Sequence, residues 1–319
     1  LQPDYRLEFN QPMSKYYPSM DSLELHNTWL AIGSFDGVHL GHRDLIQQLI
    51  DGAHRSECQA VVMTLYPHPS RVVRGLTTPI YLSTLNERVA MLADLGVDTI
   101  IQLPFDKRIA SQSASTFMNR LMYHVDLKNL LVGQNFVLGH DRKGNVDELT
   151  RLGRSLGYQV TAIPPRILGG IIISSSQIRA WLSEGDVEMA ARALGRTYST
   201  CGVVVHGDER GGRIGIPTAN LDIWQEQVLP TGGVYACWAK VGTNRYTAVT
   251  NIGLRPTFHS EHPHVTIEAH LLDFTGNLYD QLLCLEFIQR IRGEIRFEGV
   301  EALVKQIHSD ISHARRLLV

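Results

Sequence analysis

The stretch that decides the fold reads Gly33-Ser34-Phe35-Asp36-Gly37-Val38-His39-Leu40-Gly41-His42. A continuous apolar run, Trp29 to Ile32, precedes it, and Leu45, Ile46, Leu49, Ile50 and Ala53 follow at helical spacing. Strand, glycine-rich turn and helix in that order make an anion site, because free backbone N–H groups and the helix dipole both point into the turn. Gly33, Gly37 and Gly41 let the backbone come close to a ligand. His39 and His42 are three apart, so their imidazoles share one side of the first helical turn. Two imidazoles beside a phosphate cradle suit nucleotidyl transfer, which needs in-line positioning and charge stabilisation at the α-phosphate rather than a protein nucleophile. A plain glycine-rich turn with a capping Asp36 and two surface histidines is the alternative, and the flanking strand and helix weigh against it.

Working outward, Ala60–Leu65, Thr99–Leu103, Asn129–Val132, Gln159–Ile163 and Ile171–Ile173 read as further strands, and Glu87–Leu95 as a helix capped by Gly96. Apolar runs without alternation suit strands buried on both faces, hence a doubly wound parallel sheet covered by helices, an α/β domain. The character changes at Gly185. After a short helix, Val187–Leu194, come closely spaced strands: Gly202–Val205, Val234–Val241, Tyr246–Asn251 and Val265–Leu271. In the last, Val265, Ile267, Ala269 and Leu271 share one face, and Thr266, Glu268 and His270 the other. Consecutive strands of this kind predict an antiparallel β-barrel or sandwich. A helix from Val300 to Leu318 closes the chain, with Val300, Leu303, Val304, Ile307, Ile311 and Ala314 on one stripe. At 319 residues the chain exceeds one hydrophobic core, so domains 1–184 and 185–319 are expected.

Lys plus Arg is 30 and Asp plus Glu 32, a balance that argues against a nucleic-acid partner. No apolar stretch is long enough to span a bilayer, and Leu1–Asn10 lacks the apolar core of a signal peptide, so no membrane partner is expected. Cys58, Cys201, Cys237 and Cys284 form no C-x-x-C pair and are read as reduced thiols of a cytoplasmic protein.

A second glycine-rich stretch, Gly207 to Asn220, contains Gly211, Gly212 and Gly215 and ends in Pro217-Thr218-Ala219-Asn220. It lacks the G-K-[ST] of a Walker loop. Thr218 and Asn220 offer neutral oxygens on alternate residues, and together with nucleotide phosphates such donors suit Mg²⁺.

The first stretch resembles the signature of the nucleotidyltransferase superfamily. Its full form, G-x-F-D-G-x-H-x-G-H, resembles that of the bacterial bifunctional riboflavin kinase and FMN adenylyltransferase family. Pro67-His68-Pro69 is similar to the family's P-H-P turn, Val132-Gly133-Gln134-Asn135-Phe136 to its V-G-x-[DN]-F segment, and Ile173-Ser174-Ser175-Ser176-Gln177-Ile178-Arg179 to its I-S-S-T-x-I-R motif. The second stretch resembles the riboflavin kinase signature G-R-x-x-G-[FI]-P-T-A-N. Gly233–Ala236, Asn251–Thr257, Glu268–Phe274 and Arg292–Phe297 agree with the rest of that domain. The two resemblances cover nearly the whole chain, in the family's order.

The resemblance implies a nucleotidyltransferase domain followed by a riboflavin kinase barrel with a terminal helix. The implied activity is phosphorylation of riboflavin to FMN, then adenylylation of FMN to FAD, with ATP as co-substrate and Mg²⁺. His39, His42 and Arg179 would contact ATP phosphates in the first domain, with Gly33, Phe35, Asp36, Gly37, Gly41, Ser175 and Ser176 around the nucleotide. Asn135 and Arg292 would lie at the flavin. Gly207, Gly215, Thr218 and Asn220 would hold the kinase ATP, with Mg²⁺ on Thr218 and Asn220. Glu268 would be the base that activates the ribityl hydroxyl. The residues alone leave room for plainer readings: Arg179 as a surface arginine beside a serine-rich cap, Asn135 as a turn residue, Glu268 as a solvated strand residue.

Three departures stand out. Tyr66 replaces an acidic residue, Val137 and Leu138 replace an Arg-Phe pair, and Arg210-Gly211-Gly212-Arg213 moves the second arginine of R-G-R one place on. They motivate an alternative, a flavin-binding or regulatory relative with one of its two sites degenerate. A relative of the aminoacyl-tRNA synthetases, which share H-x-G-H, fits less well, because the chain is short, its charge is not basic and its second half would have no role. Oligomeric state is not set by the sequence.

Overall fold

The computed structural model describes residues 14–21, 23–207, 210–255 and 264–318. They fall into two compact units, one within Arg6–Ser175 and one within Ser176–Val319. Leu1–Asn10, Asp208, Glu209, Pro256 and Thr257, which figure in the sequence reading, lie outside the described residues.

The first unit runs β1 (Lys15–Tyr17), β2 (Thr28–Gly33), α1 (Leu40–Arg55), β3 (Gln59–Tyr66), α2 (Pro69–Arg74), α3 (Leu85–Asp94), β4 (Thr99–Pro104), α4 (Lys107–Ala110), α5 (Ala114–Val125), β5 (Leu127–Gly133), α6 (Val146–Leu156), β6 (Gln159–Ile163), β7 (Ile167–Leu168) and β8 (Ile171–Ile172). Six strands form a parallel sheet in the order β1-β4-β3-β2-β5-β6. Its central strands are apolar on both faces because each face has its own core. Leu30, Val61, Met63 and Leu130 pack one way with Phe117 and Leu121 of α5, and Ala31, Val62, Ile100 and Leu131 the other way with Ile46 and Leu49 of α1. Helix starts follow local chemistry: Thr84 and Glu87 make a reciprocal capping box on α3, and Asn145 caps α6.

One strand expectation needs correction here. Ile171–Ile173 does not join the sheet: Ile171 and Ile172 pair with Ile167 and Leu168 in a separate hairpin, with Ile172 50% exposed. Gly169 and Gly170 both take positive φ, and that turn chemistry folds the isoleucine run back on its neighbour. Strand β1 was not foreseen, because three residues beside β4 carry no periodic signal.

The second unit runs α7 (Ser175–Glu184), α8 (Val187–Leu194), β9 (Tyr198–Val205), α9 (Arg210–Arg213), β10 (Ala219–Ile223), β11 (Gly233–Val241), β12 (Asn244–Arg255), β13 (His264–Leu271), β14 (Leu282–Arg292) and α10 (Val300–Leu317). The strands close into an antiparallel barrel, β10-β13-β12-β11-β14-β9. The alternation in β13 holds: Ile267, Ala269 and Leu271 are buried, while Thr266, Glu268 and His270 are half-buried on the outer face. Strands β10 and β14 were missed by the sequence reading. Helix α10 lies on that outer face, where Ala314 and Leu318 pack with Val234, Ala236 and Val249.

The expectation of four reduced thiols is corrected for one pair. Cys201 of β9 and Cys284 of β14 stand directly opposite in the ladder, 4.0 Å apart at Cα, and are joined by a disulfide. They are 83 residues apart, so only the barrel's closure brings them together. Cys58 and Cys237 are free, and burial pushes the Cys237 thiol up to about 12, which keeps it protonated and inert.

Candidate active sites

The first candidate site lies at the carboxyl edge of the parallel sheet. Strand β2 continues through α1 and β3 toward one edge, whereas its other neighbour, β5, leads to the opposite edge. The turns after β2 and β5 therefore flank a topological switch point, where open α/β sheets leave a crevice for ligands. The turn after β2 carries Gly33–His42, and exposed Asn135 follows β5.

That turn is held open by an unusual backbone. Phe35 and Val38 adopt left-handed φ of 46° and 38°, and Gly37 one of 75°. Buried polar contacts hold them there. The Asp36 carboxylate, fully buried, accepts hydrogen bonds from the backbone N–H groups of Leu82 (2.9 Å) and Ser83 (3.3 Å), and Arg88 stands 3.5 Å away with its side chain equally buried. Arg88 also donates to Thr64 Oγ1 and to the Leu65 carbonyl. Gly37 N–H donates to Ser83 Oγ, and Ser175 Oγ donates to the Asp36 carbonyl. Asp36 thus braces the turn from beneath instead of facing a ligand with its carboxylate.

Above the brace, His39 caps α1, its Nδ1 accepting from the His42 backbone N–H at 3.3 Å. In the neutral ring an accepting Nδ1 leaves the proton on Nε2. The two imidazoles stack at 3.6 Å between centroids, and Phe35 meets His42 edge-on at 5.2 Å. Burial, reinforced by His39 and Arg88, holds the His42 imidazole well below its ordinary range, so it is neutral near pH 7. A Cβ at Gly41 would press on His39 Cε1 at 3.3 Å, so glycine there keeps the stack in place. Ser176 and Arg179 lie on α7 in the second unit, Ser176 exposed and Arg179 half-buried.

The second candidate site is a cavity of about 660 Å³ between the barrel's outer face and α10, within the range of small-molecule pockets. Thr218, Asn220, Glu268 and Arg292 all line it. The ladders explain why. Asn220 pairs with Glu268, Glu268 with Asn251, Asn251 with Val234 and Val234 with Arg292, so the five stand in one row across β10-β13-β12-β11-β14. Among the described residues, the side chains of Glu268, Thr218 and Asn220 engage no hydrogen-bond partner. His270 shares a 2.7 Å hydrogen bond with the Pro217 carbonyl and so fixes the turn that presents Thr218. Gly207 and Gly215 do not line the cavity. A Cβ at Gly207 would stand 2.2 Å from Asn220 Nδ2, and Gly215 needs its φ of 77°; both shape the loop.

Comparison with known proteins finds relatives for both halves of the chain. A model of FAD synthetase matches residues 21–177, and a model of riboflavin kinase matches residues 194–318. Bifunctional riboflavin kinase/FMN adenylyltransferases of Pseudomonas fluorescens and Escherichia coli (strain K12) are each 36% identical over 90% of this chain and 91% of their own length. That of Bacillus subtilis is 35% identical over the same shares. The chain belongs to the bifunctional riboflavin kinase/FMN adenylyltransferase family. A solved structure of a macrolide-efflux protein from Streptococcus pneumoniae matches with a TM-score of 0.86 at 27% identity, covering 95% of this chain and 99% of that one.

Within this family framework Leu138 and Tyr66 find structural uses. Leu138 packs against the first core and exchanges backbone hydrogen bonds with Gly144, closing the loop between them. Tyr66 stacks obliquely with Tyr81, whose hydroxyl accepts from the His68 backbone N–H. The sequence reading missed Ser83, Arg88 and Asp310, and it gave Asn251 no role although that residue opens a family segment. Arg88 had one visible signal: a cation on the apolar face of a helix that otherwise buries Leu85, Leu92 and Ala93.

Proposed function

We propose that the chain phosphorylates riboflavin to FMN with ATP and adenylylates FMN to FAD with ATP, releasing pyrophosphate. The observation that carries this reading is the pair of separate sites, one per unit, each built around the residues its family motif supplies. Adenylyl transfer is assigned to residues 1–184 and the kinase reaction to residues 185–319, in the cytoplasm, where ATP is available.

In the kinase pocket Glu268 takes the proton of the ribityl primary hydroxyl as that oxygen bonds to the γ-phosphorus of ATP; the bond to the β-bridging oxygen breaks and ADP leaves. A carboxylate with no competing hydrogen bond is well suited to this role. Asn251, next in register to Glu268, is in place to orient the hydroxyl. Thr218 and Asn220 present neutral oxygens beside the Glu268 carboxylate, hard donors of the kind Mg²⁺ accepts. Among the described residues no cluster of three His, Cys, Asp or Glu forms a protein cage, which fits an ion shared with nucleotide phosphates. Bound there, Mg²⁺ would neutralise charge on those phosphates.

In the sheet domain an FMN phosphate oxygen attacks the α-phosphorus of the second ATP, and pyrophosphate leaves. Backbone N–H groups at the start of α1, the Nε2–H of His39 and the neutral His42 imidazole stabilise the developing charge, Arg179 adds a permanent cation by its place in the motif, and Asn135 faces the flavin. A neutral His42 acts as a hydrogen-bond donor and not as a charge. Ser175 and Ser176 serve the nucleotide, Ser175 by also holding the turn. Incubating the protein with riboflavin and MgATP and separating products by chromatography tests the whole reading. FMN should form first and FAD second; riboflavin left unconverted at high enzyme concentration would refute it.

A further inference from the structure

Arg292 ends β14 and lines the kinase cavity, yet most of its guanidinium is already engaged. Its Nε donates to both carboxylate oxygens of Asp310, at 3.1 and 3.0 Å, and Nη2 donates to Asp310 Oδ2 at 2.8 Å. Nη1 donates to the Gly293 carbonyl at 3.0 Å, and the guanidinium carbon lies 5.8 Å from the centre of the Phe297 ring. Asp310 is only 2% exposed and is itself held by Gln306 Nε2 at 2.9 Å. A guanidinium has five N–H donors. Nε, one hydrogen of Nη2 and one of Nη1 are used, so one hydrogen on each Nη remains without a partner among the described residues.

A buried ion pair contributes little net stability, since desolvation offsets its attraction. Placing one in a cavity wall otherwise built from Val300, Leu303 and Ile307 of the same helix needs another use. We propose that Asp310 is a positioning residue for the ring end of this cavity. By occupying the side edge of Arg292, it turns the remaining Nη1 and Nη2 donors as a fork toward paired acceptors on the edge of a planar heteroaromatic ring. Resting on the kinase reading above, the ring is the isoalloxazine of riboflavin and the acceptors are its carbonyl edge. The register supports this placement, because Arg292 and Glu268 stand at opposite ends of the row Arg292, Val234, Asn251, Glu268. Without Asp310 the guanidinium would rotate toward Gly293 and solvent, and the fork would no longer be preorganised.

The test uses the full chain and reads riboflavin affinity by fluorescence quenching, together with KM for ATP, kinase turnover at saturating riboflavin, and FAD formation from supplied FMN. Asp310→Asn should weaken riboflavin binding roughly tenfold or more, the scale of a charge-assisted hydrogen bond. KM for ATP and saturated turnover should stay within about twofold, the discrimination expected of a ligand-orienting group. Placed on Arg292→Lys, which already lacks the fork, Asp310→Asn should add less than about twofold, because the two act through one contact. A folded Asp310→Asn protein with wild-type riboflavin affinity, or losses that multiply in the double variant, would overturn the assignment. If Asp310→Asn unfolds the barrel, Gln306→Leu decides: about a threefold loss of riboflavin affinity at unchanged KM for ATP supports it, part of the effect of the hydrogen bond that holds the Asp310 carboxylate, and no loss overturns it. Wild-type protein that fails to bind riboflavin would instead remove the kinase reading itself, and this inference with it.

Discussion

The two sites reach readiness by opposite means. At the sheet edge, the turn from Gly33 to His42 is fixed by left-handed backbone at Phe35 and Val38 and by a fully buried Asp36–Arg88 pair beneath it. On top of it sit two stacked imidazoles, His39 and His42. On the barrel, Glu268, Thr218 and Asn220 project from regular strands or the turn before them, with no partner among the described residues. The first site spends buried polar contacts on shape. The second takes its shape mainly from ladder register and leaves Glu268, Thr218 and Asn220 unengaged, with the Arg292–Asp310 pair as its buried polar contact. Damage should therefore spread differently: through folding when Asp36 is lost from the first, and through chemistry alone when Glu268 is lost from the second.

The sharpest way to break that contrast is Glu268→Gln. It keeps shape and hydrogen bonding but removes the base, so FMN formation should fall by about 10²–10⁴ with riboflavin binding retained. FAD formation from supplied FMN should be untouched; retained kinase turnover would reassign Glu268 to the strand surface. Next in size, Asp36→Ala should destabilise the first unit by about 3–5 kcal/mol, because it strands the Arg88 cation and two backbone donors in the interior. Separate melting transitions, followed alongside kinase activity, would show it; a melt unchanged from wild type would mean the brace does not matter.

Replacing His39 or His42 with Ala should slow FAD formation by about 10²–10³ while the kinase reaction persists. Near-normal FAD synthesis would show that the backbone cradle suffices. The smallest effect is one of pH. His42 has a folded-state pKa well below its unfolded value, so below about pH 6.5 the unfolded chain binds more protons and the fold loses stability as pH falls. This contribution is fully recovered above that pH, and its slope is at most about 1.4 kcal/mol per pH unit. Between pH 7 and 5.5 the melting temperature of the first unit should fall more steeply in wild type than in His42→Asn. Parallel slopes would contradict the burial assigned to this ring.

Much of this was legible beforehand. The parallel sheet followed from apolar runs such as Ala60–Leu65, and the outer face of β13 from the alternation of Ile267, Glu268 and Ala269. The stripe on α10 was visible, but not its division of labour: Ala314 packs on the barrel, whereas Val300, Leu303 and Ile307 line the cavity. Periodicity reports an apolar face and is silent about whether protein or ligand will cover it. The Asp36–Arg88 brace and the Arg292–Asp310 pair escaped because they join residues on different elements, and single-chain spacing carries no signal for such pairs. The Cys201–Cys284 disulfide escaped for the same reason.

The row of paired residues across the barrel also makes the pocket a ruler. Neighbouring strands are about 4.8 Å apart, so three spacings separate Glu268 from Arg292, at most about 14 Å along the curved sheet. Hydrogen bonds between strands fix that distance, and a side-chain rotamer can change it only slightly. An alcohol joined to a ring by too short a tether could bind by its ring or reach the carboxylate, but not both. The barrel would thus select substrates by length before any contact distinguishes their chemistry, and shortening the ribityl chain by one carbon should cost turnover far more than binding.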